Sequence, residues 1–351
     1  IRYLNDESII SSYQHGFCSN KSTITALHNF YENVLSHLES GDCPVGLFFD
    51  LRRAFDCVNH NMLLSLLSDY KINGYALKWL HSYLSNRKQY VHMTHIYKLN
   101  GVNLKRPLIS DPVNINQGVP QGSILGPILF ILYVNGFDKL LQTSALCTMY
   151  ADDLSIIVSN NDHNLLNNLC NSIMQEVLHL FNKKLLYLNS NKTTFMHFHT
   201  FQKKVDPIKI NVNGSELIGS SNVKFLGLHL DENLNFHNHC NSIVSKLGSL
   251  AFIFRNLRSV LNLDQLITCY YAYVESKLRY GLCFWGRSAS FSKVFIAQKR
   301  IIRCMAGLRH TESCKEHFIK MGIMSLPSLF IYELSIFLFN NRGRFTKVNT
   351  C

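Results

Sequence analysis

Three aspartates have the type and spacing to do chemistry. Asp152 and Asp153 are adjacent in Tyr150-Ala151-Asp152-Asp153, between apolar runs at 145–151 and 154–158 that read as two arms of a tight hairpin. Two carboxylates in a shielded turn raise each other's pKa unless a cation neutralises them. Mg²⁺ suits that task, because it takes carboxylate oxygens and keeps positions for phosphate oxygens. An ordinary acidic turn explains the pair nearly as well, since Asp is a common turn residue. Asp50 shifts the balance. It ends the apolar run 45–49, where folding alone gives little reason for a carboxylate. If that run pairs beside the hairpin, three carboxylates converge at one edge of a sheet. Such a set would hold two metal ions roughly 3.5–4 Å apart, the arrangement for in-line phosphoryl transfer.

The elements around these residues predict an α+β core followed by a helical region. Before about residue 232, short apolar runs alternate with helical stretches; after it, helical periodicity dominates. Further strands are expected at 193–199, 208–212 and 223–230, with Asn213-Gly214 as a turn signal. Helices are expected at 53–70, 75–85, 123–137 and 164–187, then at 238–258, 264–279, 291–305 and 328–340. The domains are accordingly 1–231 and 232–351.

Composition narrows the partners. The 351 residues are 47% hydrophobic, enough for a substantial core, and carry a net charge of +12. That charge favours an anionic partner, nucleic acid before an acidic membrane surface. Residues 291–351 hold ten Lys/Arg against three acids, with Phe, Tyr and Leu at helical spacing. A basic face with an apolar back suits contact with a phosphate backbone. The eleven cysteines are scattered without a C-x-x-C pair, which argues against a disulfide framework. His237, His239 and Cys240 invite a zinc reading but lack a second ligand pair at suitable spacing. The most apolar run, 124–134, is too short for a membrane span and is interrupted by Pro127. The chain starts with Ile1 rather than Met, as a fragment would.

Read in order, these motifs resemble those of reverse transcriptases of non-LTR (LINE-type, jockey-like) retrotransposons. Asp50 with Phe55 resembles motif A, and Tyr150-Ala151-Asp152-Asp153 resembles motif C. Gln117-Gly118-Val119-Pro120-Gln121-Gly122-Ser123 is similar to motif B, and Asn189-Ser190-Asn191-Lys192-Thr193 to motif D. Phe225-Leu226-Gly227 resembles motif E, the primer grip. Gln14-His15-Gly16-Phe17 with Lys21-Ser22-Thr23 resembles the block ahead of motif A. Tyr280-Gly281 followed by Trp285 resembles the thumb segment. Each motif is short and weak alone; seven in order are specific.

The resemblance implies a right-hand polymerase palm, an antiparallel sheet backed by helices, with partial fingers and a helical thumb. It implies an RNA-directed DNA polymerase that extends a DNA primer on an RNA template from deoxynucleoside triphosphates. Asp50, Asp152 and Asp153 would bind two Mg²⁺ ions, with Mn²⁺ as a possible substitute. Arg53, Ala54, Phe55, Gln121 and Gly122 would line the nucleotide pocket. Phe55 would exclude a ribose 2′-hydroxyl, although a core Phe on a first helical turn explains it too. Lys192 would protonate the leaving pyrophosphate. Phe225, Leu226 and Gly227 would hold the primer end. Action would be intracellular, in the nucleus during integration, without a membrane; the oligomeric state is not legible.

Two departures matter. Arg53 stands where the family has Lys, which keeps the charge but changes its geometry. Nothing matches the Arg-Pro-Ile fingers block or an upstream endonuclease. That predicts weak nucleotide binding and little activity for this chain alone. The other reading is a truncated, inactive remnant that only binds nucleic acid. An RNA-templated RNA polymerase is disfavoured by Phe55, and by Ala151 where those enzymes carry Gly.

Overall fold

A computed structural model describes residues 2–137, 145–203 and 205–344. The chain divides into two compact units, Ile1–Gly219 and Ser220–Cys351.

The first unit is α+β, built on a four-stranded antiparallel sheet. Its strands are β1 (Val45–Phe49), β6 (Ala145–Tyr150), β7 (Asp153–Val158) and β8 (Thr194–His197), in the order β6-β7-β1-β8. Every residue of β1 is buried, because both faces of the sheet are covered. On one face Phe48 packs against Phe30 of helix α2 (Thr23–Glu39). On the other, Phe49 meets Phe181 of α6 (His163–Lys183) edge-on. Among the described residues, the remaining helices of this unit are α1 (Arg2–Asp6), α3 (His60–Asp69), α4 (Gly74–Leu84) and α5 (Leu125–Tyr133).

The described residues of the unit also form three small antiparallel pairs: β2 (Arg87–Gln89) with β5 (Val113–Ile115), β3 (His92–Leu99) with β4 (Val102–Ile109), and β9 (Asn211–Val212) with β10 (Ser215–Glu216). Asn213 and Gly214 both have positive φ, as the turn signal required. The β3–β4 hairpin was not expected. Its signal was Asn100-Gly101, both at positive φ, between two alternating runs.

Several expected elements are shorter or broken. The helix expected over 53–70 is a 3₁₀ turn, Ala54–Cys57, followed by α3. Between them Val58 is extended and its carbonyl accepts from the Gly118 N–H at 2.7 Å, so a tertiary hydrogen bond takes the place of a helical one. Asn59 then caps α3 by accepting from the Met62 N–H. The helix expected over 123–137 spans only Leu125–Tyr133, and Pro127 sits in its first turn, where it is tolerated rather than disruptive.

The second unit pairs β11 (Asn222–Phe225) with β12 (Leu228–Asp231). One continuous strand was expected over 223–230; the chain instead reverses at Leu226 and Gly227, both at positive φ. This pair belongs to the second unit, although the expected division at residue 232 put it with the first. The other elements among the described residues of the second unit are helical: α7 (His237–Leu257), α8 (Leu263–Tyr270), α9 (Ser276–Arg279), α10 (Leu282–Trp285), α11 (Phe291–Ala306), α12 (Lys315–Lys320) and α13 (Leu326–Asn340). A π turn at Tyr271–Glu275 interrupts the helix expected over 264–279. Gln298 is fully buried and completely used. Its amide donates to Tyr270 Oη and the Met324 carbonyl, and its Oε1 accepts from the Leu326 N–H. Among the described residues no helix is long and apolar enough to cross a membrane.

Candidate active site

Strand register brings the three aspartates together. In β6 and β7, Tyr150 faces Asp153, leaving Ala151 and Asp152 as a two-residue turn. Asp153 is therefore the first residue of β7 rather than a turn residue. In β1 and β7, Phe49 faces Leu154, so the residue after Phe49, Asp50, comes level with Asp153. The tight turn needs positive φ at its first position, and Ala151 adopts +56°.

The charges feel one another. Asp153 is exposed at the start of β7, yet the protein packed around it desolvates its carboxyl and pushes it up to about 6, with the charges of Asp152 and Asp50 adding to it. Asp152 is raised mainly by burial, with Asp50 adding. The three carboxylates do not form a ready-made cage: among the described residues no group of three or more His, Cys, Asp or Glu side chains is arranged to hold a metal ion.

Asp50 is held by the loop that follows α6. The Asn189 side-chain amide donates to Asp50 Oδ2 at 2.8 Å, and the Asn189 N–H donates to the Asp50 carbonyl at 2.8 Å. The Asp50 N–H donates to Thr193 Oγ1 at 3.3 Å. Beside it, the Arg52 N–H donates to the Tyr187 carbonyl. The Lys192 N–H donates to the Asn189 carbonyl, so one loop carries both the partner of Asp50 and the exposed Lys192. Asp50, Asp152, Arg53, Asn189 and Lys192 line one open cleft of about 950 Å³.

The turn at Ala151-Asp152 is clamped from behind. Gln14 is 2% exposed, and its Oε1 accepts from the N–H groups of Gly16 at 2.7 Å and Ala151 at 3.0 Å. The His15 N–H donates to the Met149 carbonyl, and the Met149 N–H to the Tyr13 carbonyl. A side chain at position 16 would put its Cβ 2.4 Å from the Ala151 nitrogen, so only glycine allows this approach.

The segment after Asp50 is stitched to the Gly-Pro turn before α5. Arg53 is left-handed at φ 45° and leads into the 3₁₀ turn, and Ala54 is buried within it. The Phe55 ring stacks on Phe130 of α5 at 4.1 Å, and its carbonyl accepts from the Val119 N–H. Gly118, at φ +86°, lies against the Asp56 backbone, where a Cβ would come within 2.9 Å. Gln121 is exposed and donates to Asp56 Oδ1 at 3.1 Å; Gly122 is exposed at φ +78°. Neither Gln121, Gly122 nor Phe55 lines the cleft around Asp50.

In the second unit Leu226 and Gly227 form the turn of the β11–β12 hairpin, with Phe225 buried before it. Tyr280 Oη donates to the Leu226 carbonyl, and the Tyr280 ring packs where a Cβ on Gly227 would stand. His237 pairs with Ser290 Oγ, and the His239 ring accepts from the His229 N–H.

Two residues of this site carried no individual role in the sequence reading. Asn189 lay inside a motif in which only Lys192 drew attention. Gln14 lay far from the aspartates in sequence, and no local pattern announces a buried amide that bridges two N–H groups.

Known proteins match most of the chain. The chain is 26% identical over 324 residues to the probable RNA-directed DNA polymerase from transposon BS of Drosophila melanogaster, covering 86% of this chain and 33% of that protein. It is 25% identical to the probable RNA-directed DNA polymerase from transposon X-element of the same species, covering 88% and 33%. It is 26% identical to the RNA-directed DNA polymerase from mobile element jockey of Drosophila funebris, covering 87% and 33%. The chain thus spans about a third of the length of these relatives. Among solved structures it is similar to telomerase from Candida tropicalis, at 13% identity and a TM-score of 0.46, covering 99% of this chain and 54% of that one. That likeness is too distant to assign anything. Residues 1–230 match the family described as reverse transcriptase (RNA-dependent DNA polymerase). With that match over most of its length, and with its aspartates gathered at the end of one antiparallel sheet, the chain belongs to the reverse transcriptase family.

Proposed function

We propose that this chain is the polymerase part of a non-LTR retrotransposon protein, adding deoxynucleotides to a DNA 3′ end on an RNA template. The observation that carries this reading is the register of β1 on β7, which sets Asp50 level with Asp153 beside the Asp152 turn. The palm lies in the first unit, and the helical second unit is the thumb. The partners are the RNA template, the DNA primer and deoxynucleoside triphosphates, and the place of action is the nucleus.

The aspartates suit divalent cations. Their mutual repulsion, felt in the raised Asp153 and Asp152, is what a cation between them relieves. Mg²⁺ is commonly held by one or two carboxylates plus substrate phosphates, which agrees with an open set of acids rather than a closed cage. Two such ions, Mg²⁺ or Mn²⁺, held by Asp50, Asp152 and Asp153, would activate the primer 3′-hydroxyl and neutralise the leaving pyrophosphate.

The chain's own residues do the rest. Asn189 and Thr193 orient Asp50, and Gln14 fixes the turn that presents Asp152. Lys192 Nζ, on the loop tied to Asp50, gives a proton to the leaving pyrophosphate. Arg53, Ala54, Gln121 and Gly122 bound the nucleotide site, and Phe55, braced on Phe130, blocks a 2′-hydroxyl. Phe225, Leu226 and Gly227 grip the primer.

The test is primer extension on RNA with Mg²⁺. Extension that is abolished by Asp152→Asn while the fold survives is the expected result. No extension by the unaltered protein on any RNA template would remove the proposal.

A further inference from the structure

The β3–β4 hairpin is exposed on both faces along all sixteen strand residues. A two-stranded hairpin is marginal by itself in water, and this one leaves Met93, Leu99, Val102 and Leu108 each 46–61% exposed. Something is expected to cover it.

Register defines its two faces. One presents the cross-strand pairs Met93–Leu108, His95–Arg106, Tyr97–Leu104 and Leu99–Val102. On it, the rings of His95 and Tyr97 lie 6.0 Å apart and only 14° from parallel. Arg106 stands directly opposite His95. The other face carries Lys105 opposite Ile96 and Lys98 opposite Asn103.

Charge decides between occupants. Residues 87–115 contain Arg87, Lys88, Lys98, Lys105 and Arg106 against the single acid Asp111. Two copies of this hairpin would repel, so an anion fits better than a second copy. Parallel aromatic rings beside cations are the means by which proteins hold unpaired bases and their phosphates. An anionic lipid surface would use the cations but not the ring platform.

We propose that the β3–β4 hairpin binds single-stranded RNA, stacking bases on His95 and Tyr97 and contacting phosphates through Arg106 on that face and, where the RNA backbone wraps the narrow two-stranded ribbon, through Lys98 and Lys105 on the other. The choice of RNA over DNA rests on the proposed template.

Three variants test it. In the first, residues 92–109 are replaced by Asn-Gly between Val91 and Ser110, which already exchange two hydrogen bonds at 2.9 Å that close the stem. The second is His95→Ala with Tyr97→Ala. The third is Lys98→Glu, Lys105→Glu and Arg106→Glu. Each is titrated with short fluorescent single-stranded RNA, single-stranded DNA and anionic phospholipid vesicles, with thermal melting to confirm the fold.

The first two should weaken RNA binding by about tenfold or more. The third should reduce the slope of log affinity on log salt by about two, at roughly 0.7 per phosphate contact. A parallel loss of single-stranded DNA binding also supports the proposal, because stacking does not read the sugar. Unchanged RNA affinity in the folded hairpin-less protein overturns it, as does a loss confined to DNA or to vesicles. A chain that binds RNA through the hairpin but never polymerises would leave this inference standing and remove the proposed function. Polymerisation with RNA binding indifferent to the hairpin would do the reverse.

Discussion

Asn189 holds Asp50 at two points, through a side-chain amide on Oδ2 and a backbone N–H on the carbonyl, both at 2.8 Å. Partners that orient a metal-binding carboxylate commonly affect affinity or rate by 10–100-fold. Asn189→Ala should therefore slow primer extension by roughly that factor. Melting should change little, because the backbone bond remains. Asn189→Asp, which sets a like charge against Asp50, should be slower still. Single-turnover rates check both, and an Asn189→Ala rate equal to the unaltered protein's would show that Asp50 does not need this partner.

Gln14 does for the Asp152 turn what Asn189 does for Asp50. Gln14→Leu would leave two N–H groups, those of Gly16 and Ala151, unpaired in a buried place. Each such group costs about 1–3 kcal/mol, so a loss of about 2 kcal/mol or more is expected on chemical denaturation. Gly16→Ala should act on rate, because its Cβ cannot be placed without moving Ala151. Rate and stability measured together separate the two effects.

The raised Asp153 makes a prediction about pH. Its carboxyl has a higher pKa in the folded chain, about 6, than the ordinary 3.8. The protonated form is therefore the one that folding favours. Stability from this group is fully present below the unfolded value and is lost as pH rises through about 6. With a chelator present, Asp153→Asn should melt higher than the unaltered protein at pH 8, and the gap should close below about pH 4. Melting curves across that range decide it; a gap that widens toward acid would contradict the assignment.

Phe55 is braced by its stack on Phe130, which suits a rigid barrier better than a mobile ring. Phe55→Val should raise ribonucleotide incorporation relative to deoxynucleotide by roughly 10–200-fold, the worth of a steric contact in a pocket. Competition between the two nucleotide types measures this. Unchanged selectivity in a folded variant would return Phe55 to an ordinary packing role.

Much of the site was legible because its residues sit on strong local patterns. The apolar run before Asp50 and the two runs around Asp152-Asp153 could be strands and little else. Their lengths left the acids at strand ends. Asn213-Gly214 marked its turn because type I′ geometry needs positive φ at both positions. Element ends were less legible. Val58 leaves the helical path because its carbonyl pairs with the N–H of Gly118, sixty residues away in sequence. The reversal at Leu226-Gly227 was hidden because Phe225-Leu226 continues an apolar run, and Leu at positive φ is uncommon.

The amino-acid sequence by itself determined which residues could bind cations, the order of the motifs and the α+β class. Those depend on residue type, local periodicity and spacing along the chain. Only the tertiary structure decided that Asp50 comes level with Asp153, that Gln14 and Asn189 hold the acids in place, and that the β3–β4 hairpin stands uncovered. Each of those depends on strand register or on a hydrogen bond between segments distant in sequence, and such long-range pairings leave no local pattern to read.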